Sequence, residues 1–337
     1  MKKLRWVLAG VGDIATKRVL PAILSEPRSE LVGVVSRDGE KGRRWAERVW
    51  GRVEEALEWG EFDALYVATP VALHAPQSMA ALRAGKHVLC EKPTAMHAAE
   101  AEEMARVAGE CGRLLGVAYY RRLYPAVLRA RELMRAGAIG KPVLAELRLH
   151  SWFDPVDGFR GWLVDPKLAG GGPLYDVGSH RIDLLNFWFG KPERAVGLTG
   201  RAVHEREVED SATVLVEYGG GVRGVVDVRW HSRVERDECR IVGTEGAIEM
   251  TPLNSGRLVW PRGEEMLAPH GNLHYPAVEN FVGAVLAGAA TSGAEMGGTA
   301  MGGTEMDETE MDGAGLMCPV HEAAWTDWVT GQVAEVR

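Results

Sequence analysis

The apolar run Leu4-Arg5-Trp6-Val7-Leu8-Ala9 leads straight into Gly10-Val11-Gly12-Asp13-Ile14-Ala15. No other stretch limits the fold as tightly. The run reads as a short buried strand, and the glycines as a tight turn that opens a helix. Its spacing is G-x-G-x-x-A. Two glycines let the backbone approach a pyrophosphate, and a small residue at the last position lets the helix pack on the sheet. The helix N-terminus adds N–H donors and a partial positive charge. Gly10, Gly12, Asp13 and Ile14 are therefore candidate contacts to a dinucleotide.

Strand and helix text then alternates. Leu31–Val35, Ala64–Ala68 and His87–Cys90 read as strands, with a helix over Ala75–Ala84 closed by Gly85. Such alternation predicts an α/β fold with a doubly wound parallel sheet and ligands at the carboxyl ends of its strands. The candidates at those ends are Ser36-Arg37, Thr69-Pro70 with His74, and Glu91-Lys92-Pro93. NAD-binding folds place an acidic residue after the second strand to hold the ribose. Here a hydroxyl and a guanidinium stand there, and Asp38 follows too late. Ser36 and Arg37 suit a 2′-phosphate, so NADP is expected, with NAD as the alternative. Lys92 stands at a strand end, and Pro93 fixes the backbone beside it.

Gly170-Gly171-Gly172-Pro173 marks another helix start, because glycine permits the turn and proline suits the first helical position. Asp176, His180 and Asp183 follow at i, i+4 and i+7, on one helix face. A carboxylate and an imidazole on one face can position a proton, and Lys92 on a separate loop completes an acid/base trio. The chemistry indicated is redox conversion of a small hydroxyl or carbonyl compound. From about Pro142 the text becomes strand-rich: Val143–His150, Thr213–Tyr218, a hairpin turn at Gly219–Gly221, and Val222–Trp230. Trp152, Phe153, Arg160 and Trp162 stand where they either line a substrate pocket or pack at a domain junction.

A chain of 337 residues suits two domains, expected at 1–120 and 121–337. Its formal net charge of -8 argues against a nucleic-acid partner. Cys90, Cys111, Cys239 and Cys318 show no C-x-x-C spacing, so no zinc site, other metal site or disulfide framework is expected. No apolar run approaches membrane-spanning length and no signal region is apparent, which predicts a cytoplasmic protein with no membrane partner. Residues 291–315 form a low-complexity insert in which Met296, Met301, Met306 and Met311 recur with Thr299, Thr304 and Thr309. That period matches neither helix nor strand, so a surface loop is expected. Thioether binding of a soft metal is the less favoured reading of it. Order is expected to resume with a helix at His321–Trp328 and a terminal strand at Val333–Val336.

The ordered set of motifs resembles the Gfo/Idh/MocA oxidoreductase family. It comprises Gly10-x-Gly12, Ala68-Thr69-Pro70-x-x-x-His74, Ala84-Gly85-Lys86-His87-Val88-Leu89-Cys90-Glu91-Lys92-Pro93, and Gly170-Gly171-Gly172-x-x-x-Asp176-x-Gly178-x-His180-x-x-Asp183. Arg122-Leu123-Tyr124-Pro125, Gly137–Gly140 and Ile241–Gly246 extend it. The resemblance implies an N-terminal Rossmann domain and a C-terminal α/β domain with an open, mostly antiparallel sheet. It implies a nicotinamide cofactor, a sugar-like or polyol substrate and a homodimer or homotetramer. Lys92, Asp176 and His180 match the family's catalytic positions. Gly10, Gly12, Thr69, His74 and Glu91 match its cofactor side, and Arg122 and Trp162 join the candidate substrate contacts. A glycosidase acting by transient oxidation, or a non-catalytic nucleotide sensor, are the other functions considered.

Overall fold

A computed structural model describes residues 3–155, 160–288 and 315–334. The methionine-rich repeat lies outside the described residues. The first sheet contains β1 (Leu4–Ala9), β2 (Ser29–Val35), β3 (Val49–Trp50), β4 (Ala64–Val67), β5 (His87–Cys90) and β6 (Leu115–Val117). They run parallel in the order β3-β2-β1-β4-β5-β6. Every residue of β4 is buried, as expected of a parallel strand covered on both faces. Alternate side chains serve the two faces. Val7, Leu65, Val67 and Val88 pack with Met104 and Val107, whereas Trp6, Leu8, Tyr66 and Leu89 pack with Leu20 and Ile23. Helices α1 (Leu20–Ser25), α2 (Gly39–Arg43), α3 (Val53–Trp59), α4 (His74–Arg83) and α5 (Ala98–Cys111) make the crossovers. Parallel strands end at one edge, so the turns after β1, β2, β4, β5 and β6 all gather there.

The second sheet is open and mostly antiparallel. Its strands are β7 (Pro142–Trp152), β8 (Pro192–Gly200), β9 (Ser211–Tyr218), β10 (Val222–Arg229), β11 (His231–Gly243), β12 (Gly246–Met250), β13 (Arg257–Trp260) and β14 (Gly263–Met266). Their order is β14-β13-β12-β11-β7-β10-β9-β8, and β7 and β10 form its one parallel pair. Helices α6 (Pro125–Arg135), α7 (Pro166–Ala169) and α8 (Ser179–Phe189) accompany it. Leu147, Val214, Val226, Cys239 and Ile241 on its inner face join a core with Ile182, Leu184 and Leu185 of α8. α8 is therefore the central helix, buried from Ser179 through Trp188.

The chain then returns to the first sheet, which a boundary at 121 does not provide for. α9 (Tyr275–Leu286) brings Phe281 to 5.3 Å from Trp6, ring to ring. In α10 (Val320–Ala334), Val320, Ala323 and Ala324 join the core under β5 and β6. The first body thus includes segments from the far end of the chain. Of the terminal strand expected at Val333–Val336, Val333 and Ala334 belong to the last turn of α10 and the rest lies outside the described residues; Val329 and Val333, one turn apart, share the core of the second body. Cross-body packing overrides the β-propensity of valine there. All four cysteines are free, and among the described residues no helix is long and apolar enough to cross a membrane.

Candidate active site

The glycine turn is built by two different demands. Gly10 has φ +93°, and a Cβ there would lie 2.5 Å from the Ala68 carbonyl oxygen, so only glycine fits. Gly12 is different: a Cβ would meet no atom within 4 Å. Its bare Cα faces open space at the mouth of the turn, which is where a pyrophosphate needs room. Ala15 is buried against the sheet, while Ile14 is exposed and Asp13 pairs with Lys17 at 2.8 Å. The helix opens with a π-helical turn over Ala15–Val19 before α1. These residues fit a dinucleotide. Gly12→Ala is expected to leave the melting temperature unchanged and to weaken NADPH binding by about tenfold, roughly 1.4 kcal/mol, in a fluorescence titration.

After β2, the Ser36 hydroxyl donates to the Asp38 carbonyl at 2.8 Å. The Asp38 carboxylate accepts from the Lys41 N–H at 3.0 Å as the N-cap of α2. The acid nearest the strand end is therefore engaged. Arg37 is exposed and forms no ion pair among the described residues. After β4, the Thr69 hydroxyl bonds Gln77 at 2.9 Å, and Pro70 precedes a short 3₁₀ turn. His74 sits behind these loops rather than in front of them. It is 1% exposed, and its two ring nitrogens lie 2.9 Å from the Pro93 and Thr69 carbonyl oxygens. It ties two loops together and does not reach open space.

Lys92 leaves β5 through a cis peptide to Pro93 and crosses to the second body. Its Nζ donates to the Asp176 backbone oxygen at 2.6 Å and to the Asp176 carboxylate at 2.7 Å. The carrier of Asp176 is a π-helical turn, Leu174–Gly178, ahead of α8. A uniform α-helix was expected here, and wide turns of this kind often occur at functional positions. The triple glycine also has a local reason. The Glu209 carboxylate accepts from the Gly172 N–H at 2.8 Å and the Leu174 N–H at 3.1 Å, capping this helix start. A Cβ on Gly172 would lie 2.1 Å from the Glu209 carbonyl oxygen. Burial pushes the Asp176 carboxyl up, but the charge and hydrogen bond of Lys92, with Arg160 and Arg121 beyond, bring it below the usual value.

His180 is 3% exposed, and its Nδ1 has no hydrogen-bond partner. The rings of Tyr119 and Tyr120 stand edge-on to it, with centroids at 5.7 and 4.9 Å. Burial, reinforced by the charges of Lys92, Arg121 and Arg181, holds its pKa well below the ordinary histidine value. The imidazole is therefore neutral at physiological pH, able to accept or donate through a chosen tautomer.

Asp183 does not join this group. It pairs with Arg122, from Nη2 at 2.8 Å and from Nε at 3.0 Å to both oxygens. Arg122 is fully buried, also bonds the Met317 carbonyl at 3.1 Å, and contacts Glu322. Its donors are committed to the interior, so the expectation of Arg122 as a substrate contact is withdrawn. Glu91 is likewise internal: its Oε1 accepts from the Tyr66 hydroxyl at 2.9 Å and lies 3.0 Å from His274 Nε2. Burial pushes the Glu91 carboxyl up, yet the charge and hydrogen bond of His274 and the Tyr66 hydroxyl leave it below its usual value. Trp162 is exposed in a 3₁₀ turn, and Arg160 approaches Asp176 at 3.8 Å. His274, Tyr120, Arg121, Arg181 and Glu209 escaped the motif reading, since each is an isolated polar or aromatic residue with no informative spacing.

Comparison with known proteins agrees with this architecture. Residues 4–119 match the model described as an oxidoreductase family with an NAD-binding Rossmann fold, and residues 127–249 match the GFO/IDH/MocA C-terminal domain. A 1,5-anhydro-D-fructose reductase from Ensifer adhaerens is 33% identical over 295 residues, covering 83% of this chain and 88% of the relative. A D-xylose 1-dehydrogenase [NADP(+)] from Haloarcula marismortui is 30% identical over 265 residues, 74% of this chain and 72% of that protein. Among solved structures, an oxidoreductase from Thermotoga maritima superposes with a TM-score of 0.83 at 23% identity, covering 99% of this chain and 96% of its own. The two matched regions together span most of the sequence, and the chain belongs to the Gfo/Idh/MocA family of NAD(P)-binding dehydrogenases and reductases.

Proposed function

We propose that the protein interconverts a hydroxyl and a carbonyl group on a sugar or polyol, with NADP(H) as its coenzyme. The observation that carries the reading is the contact of Lys92 with Asp176 across the two bodies, beside the neutral, buried His180. A bound nicotinamide supplies the hydride donor or acceptor. Gly10, Gly12, Asp13 and Ile14 would hold the pyrophosphate side. Thr69, Pro70 and the Lys92 turn would border the nicotinamide side, with Glu91 and His74 fixing that turn from behind. Lys92 and His180 would both bond the reacting oxygen, and one of them gives it a proton on reduction and takes it back on oxidation. Asp176 holds the lysine ammonium in place, and Trp162 would border the sugar. The names of the two curated relatives, both acting on sugars or sugar derivatives, support this substrate class.

The NADP(H) preference rests on Ser36 and Arg37, and on the engagement of Asp38 as a helix cap. A ribose 2′-phosphate would find the exposed Arg37 guanidinium there, whereas the Asp38 carboxylate, one residue later, is already held through one oxygen by the Lys41 N–H. Charge-assisted hydrogen bonds are worth about 1.5–3 kcal/mol, so NADPH is expected to bind about 10- to 150-fold more tightly than NADH. Arg37→Gln should remove most of that difference. Quenching of tryptophan fluorescence on titration measures both. Equal affinities would overturn the NADP reading, and a tightly bound cofactor that copurifies and does not exchange would favour the glycosidase-like cycle. The exposed Val196, Leu198 and Leu215 on neighbouring outer strands are consistent with a homodimer or homotetramer.

A further inference from the structure

The surroundings of Asp176 and His180 gather more positive charge than the proposed acid/base chemistry uses. Lys92, Arg160 and Arg121 all act on Asp176, and Lys92, Arg121 and Arg181 all act on His180. The carboxylates facing these cations are Asp176 and Asp237, the latter 2.8 Å from Arg181 Nη2. Glu91 lies against His274 and Tyr66 and also faces Lys92, but not the arginines, and Asp183 is taken up by Arg122, so the charge of Arg121 and Arg181 is met by Asp176 and Asp237 alone.

Two of the arginines are also incompletely bonded. Arg121 is 9% exposed and Arg181 is 1% exposed, and the Nε of each is buried with no hydrogen-bond partner. Arg121 lies over the rings of Tyr120 and Tyr124 and reaches Asn254. Arg181 follows His180 directly in α8. Burial, then the charge of Arg121, pushes the Arg181 guanidinium down to about 10, so the two cations oppose each other as they stand. A buried guanidinium N–H without an acceptor costs free energy, and two like charges at one site raise that cost.

We infer that Arg121 and Arg181 receive an oxyanion of the substrate, so that the enzyme acts on an acidic sugar, one carrying a carboxylate or a phosphate beside the reacting hydroxyl or carbonyl. This rests on the oxidoreductase reading of the same site. The oxyanion supplies the acceptors that the two Nε–H groups lack and neutralises the surplus charge. The hydroxyls of a neutral sugar can accept from those groups but leave the charge unbalanced. Arg121 and Arg181 are then specificity determinants, separate from the Lys92–His180 pair that handles the proton.

Isothermal titration of the NADPH-loaded protein tests this with D-glucuronate, D-galacturonate and D-glucose 6-phosphate, each against its parent hexose. At least one acid is expected to bind about 10- to 150-fold more tightly than the neutral parent, the range of one charge-assisted hydrogen bond. Arg121→Gln should abolish that advantage, so that the acid and its parent hexose bind alike, with NADPH affinity kept within a factor of about two. Arg121→Lys, which keeps the charge but not the planar fork, should retain part of it. Preference for the uronates alone identifies a carboxylate, and for the 6-phosphate alone a phosphate. The inference is overturned if every acid binds no better than its parent, or if Arg121→Gln and Arg121→Lys weaken acid and neutral sugar alike. The sugar titrations are repeated on cofactor-free protein, so a failure to bind any nicotinamide nucleotide counts against the oxidoreductase reading alone.

Discussion

Lys92→Met is expected to lower turnover by about 100-fold or more while leaving NADPH affinity within a factor of about two, the signature of a lost acid/base group. Methionine keeps the length and the apolar stem of lysine but carries no proton. Asp176 then loses the charge and hydrogen bond that counteract its burial. Its carboxyl should therefore titrate higher in the variant than in the parent. His180 loses a neighbouring positive charge and should also rise, though burial, the larger cause of its low pKa, remains. The pH–rate profile of the residual activity should consequently shift towards alkaline pH. Single-turnover measurement with preloaded NADPH separates the chemical step from binding. Unchanged turnover would remove Lys92 from the mechanism. A parallel loss of NADPH affinity would instead mean that the Lys92 turn shapes the cofactor site and that the proton is handled by His180.

The features legible beforehand share one physical property: they are local. β1, β4 and β5 are short apolar runs bounded by glycine, proline or a charged turn, and they form where the pattern places them. Gly10 announces itself because only glycine adopts its backbone conformation so close to Ala68. Lys92 and Asp176 stand far apart in sequence, and only the ordered set of motifs links them there. The failures are all questions of partner. The apolar face of α9 reveals that Val278, Phe281 and Val282 are buried, but not that Trp6 and the first sheet bury them. The spacing of Asp176, His180 and Asp183 suits one helix face. It cannot reveal that a π-helical turn carries Asp176 or that Asp183 turns to Arg122. A guanidinium in a motif near the domain junction reads equally well as a substrate clamp or as an interior tie, and burial alone decides between them.

That distinction gives Arg122→Met the largest expected effect on stability. Arg122 is fully buried, its Asp183 partner is fully buried, and Glu322 approaches from α10. Removing the cation from a buried ion pair leaves an uncompensated charge, which costs about 3–5 kcal/mol. In a chain of 337 residues that corresponds to a melting temperature lower by about 4–7 °C. The loss should also depend on pH. Burial already raises the Asp183 carboxyl to about 6 despite Arg122, and without Arg122 it goes higher. A carboxyl that binds its proton more tightly in the folded state than in the unfolded state loses stability as pH rises towards its folded pKa. The parent completes that loss near pH 6, whereas the variant continues to lose stability above it. The gap between the two should therefore widen from pH 5.5 to pH 8 in thermal melts. Arg122→Met combined with Asp183→Leu removes both charges and should recover part of the deficit. A parent-like melting temperature with weakened sugar binding would return Arg122 to the substrate pocket. A pH-dependent loss of stability, with NADPH binding intact at low temperature, assigns it to the interior joint between α8, α10 and the turn that carries Tyr120.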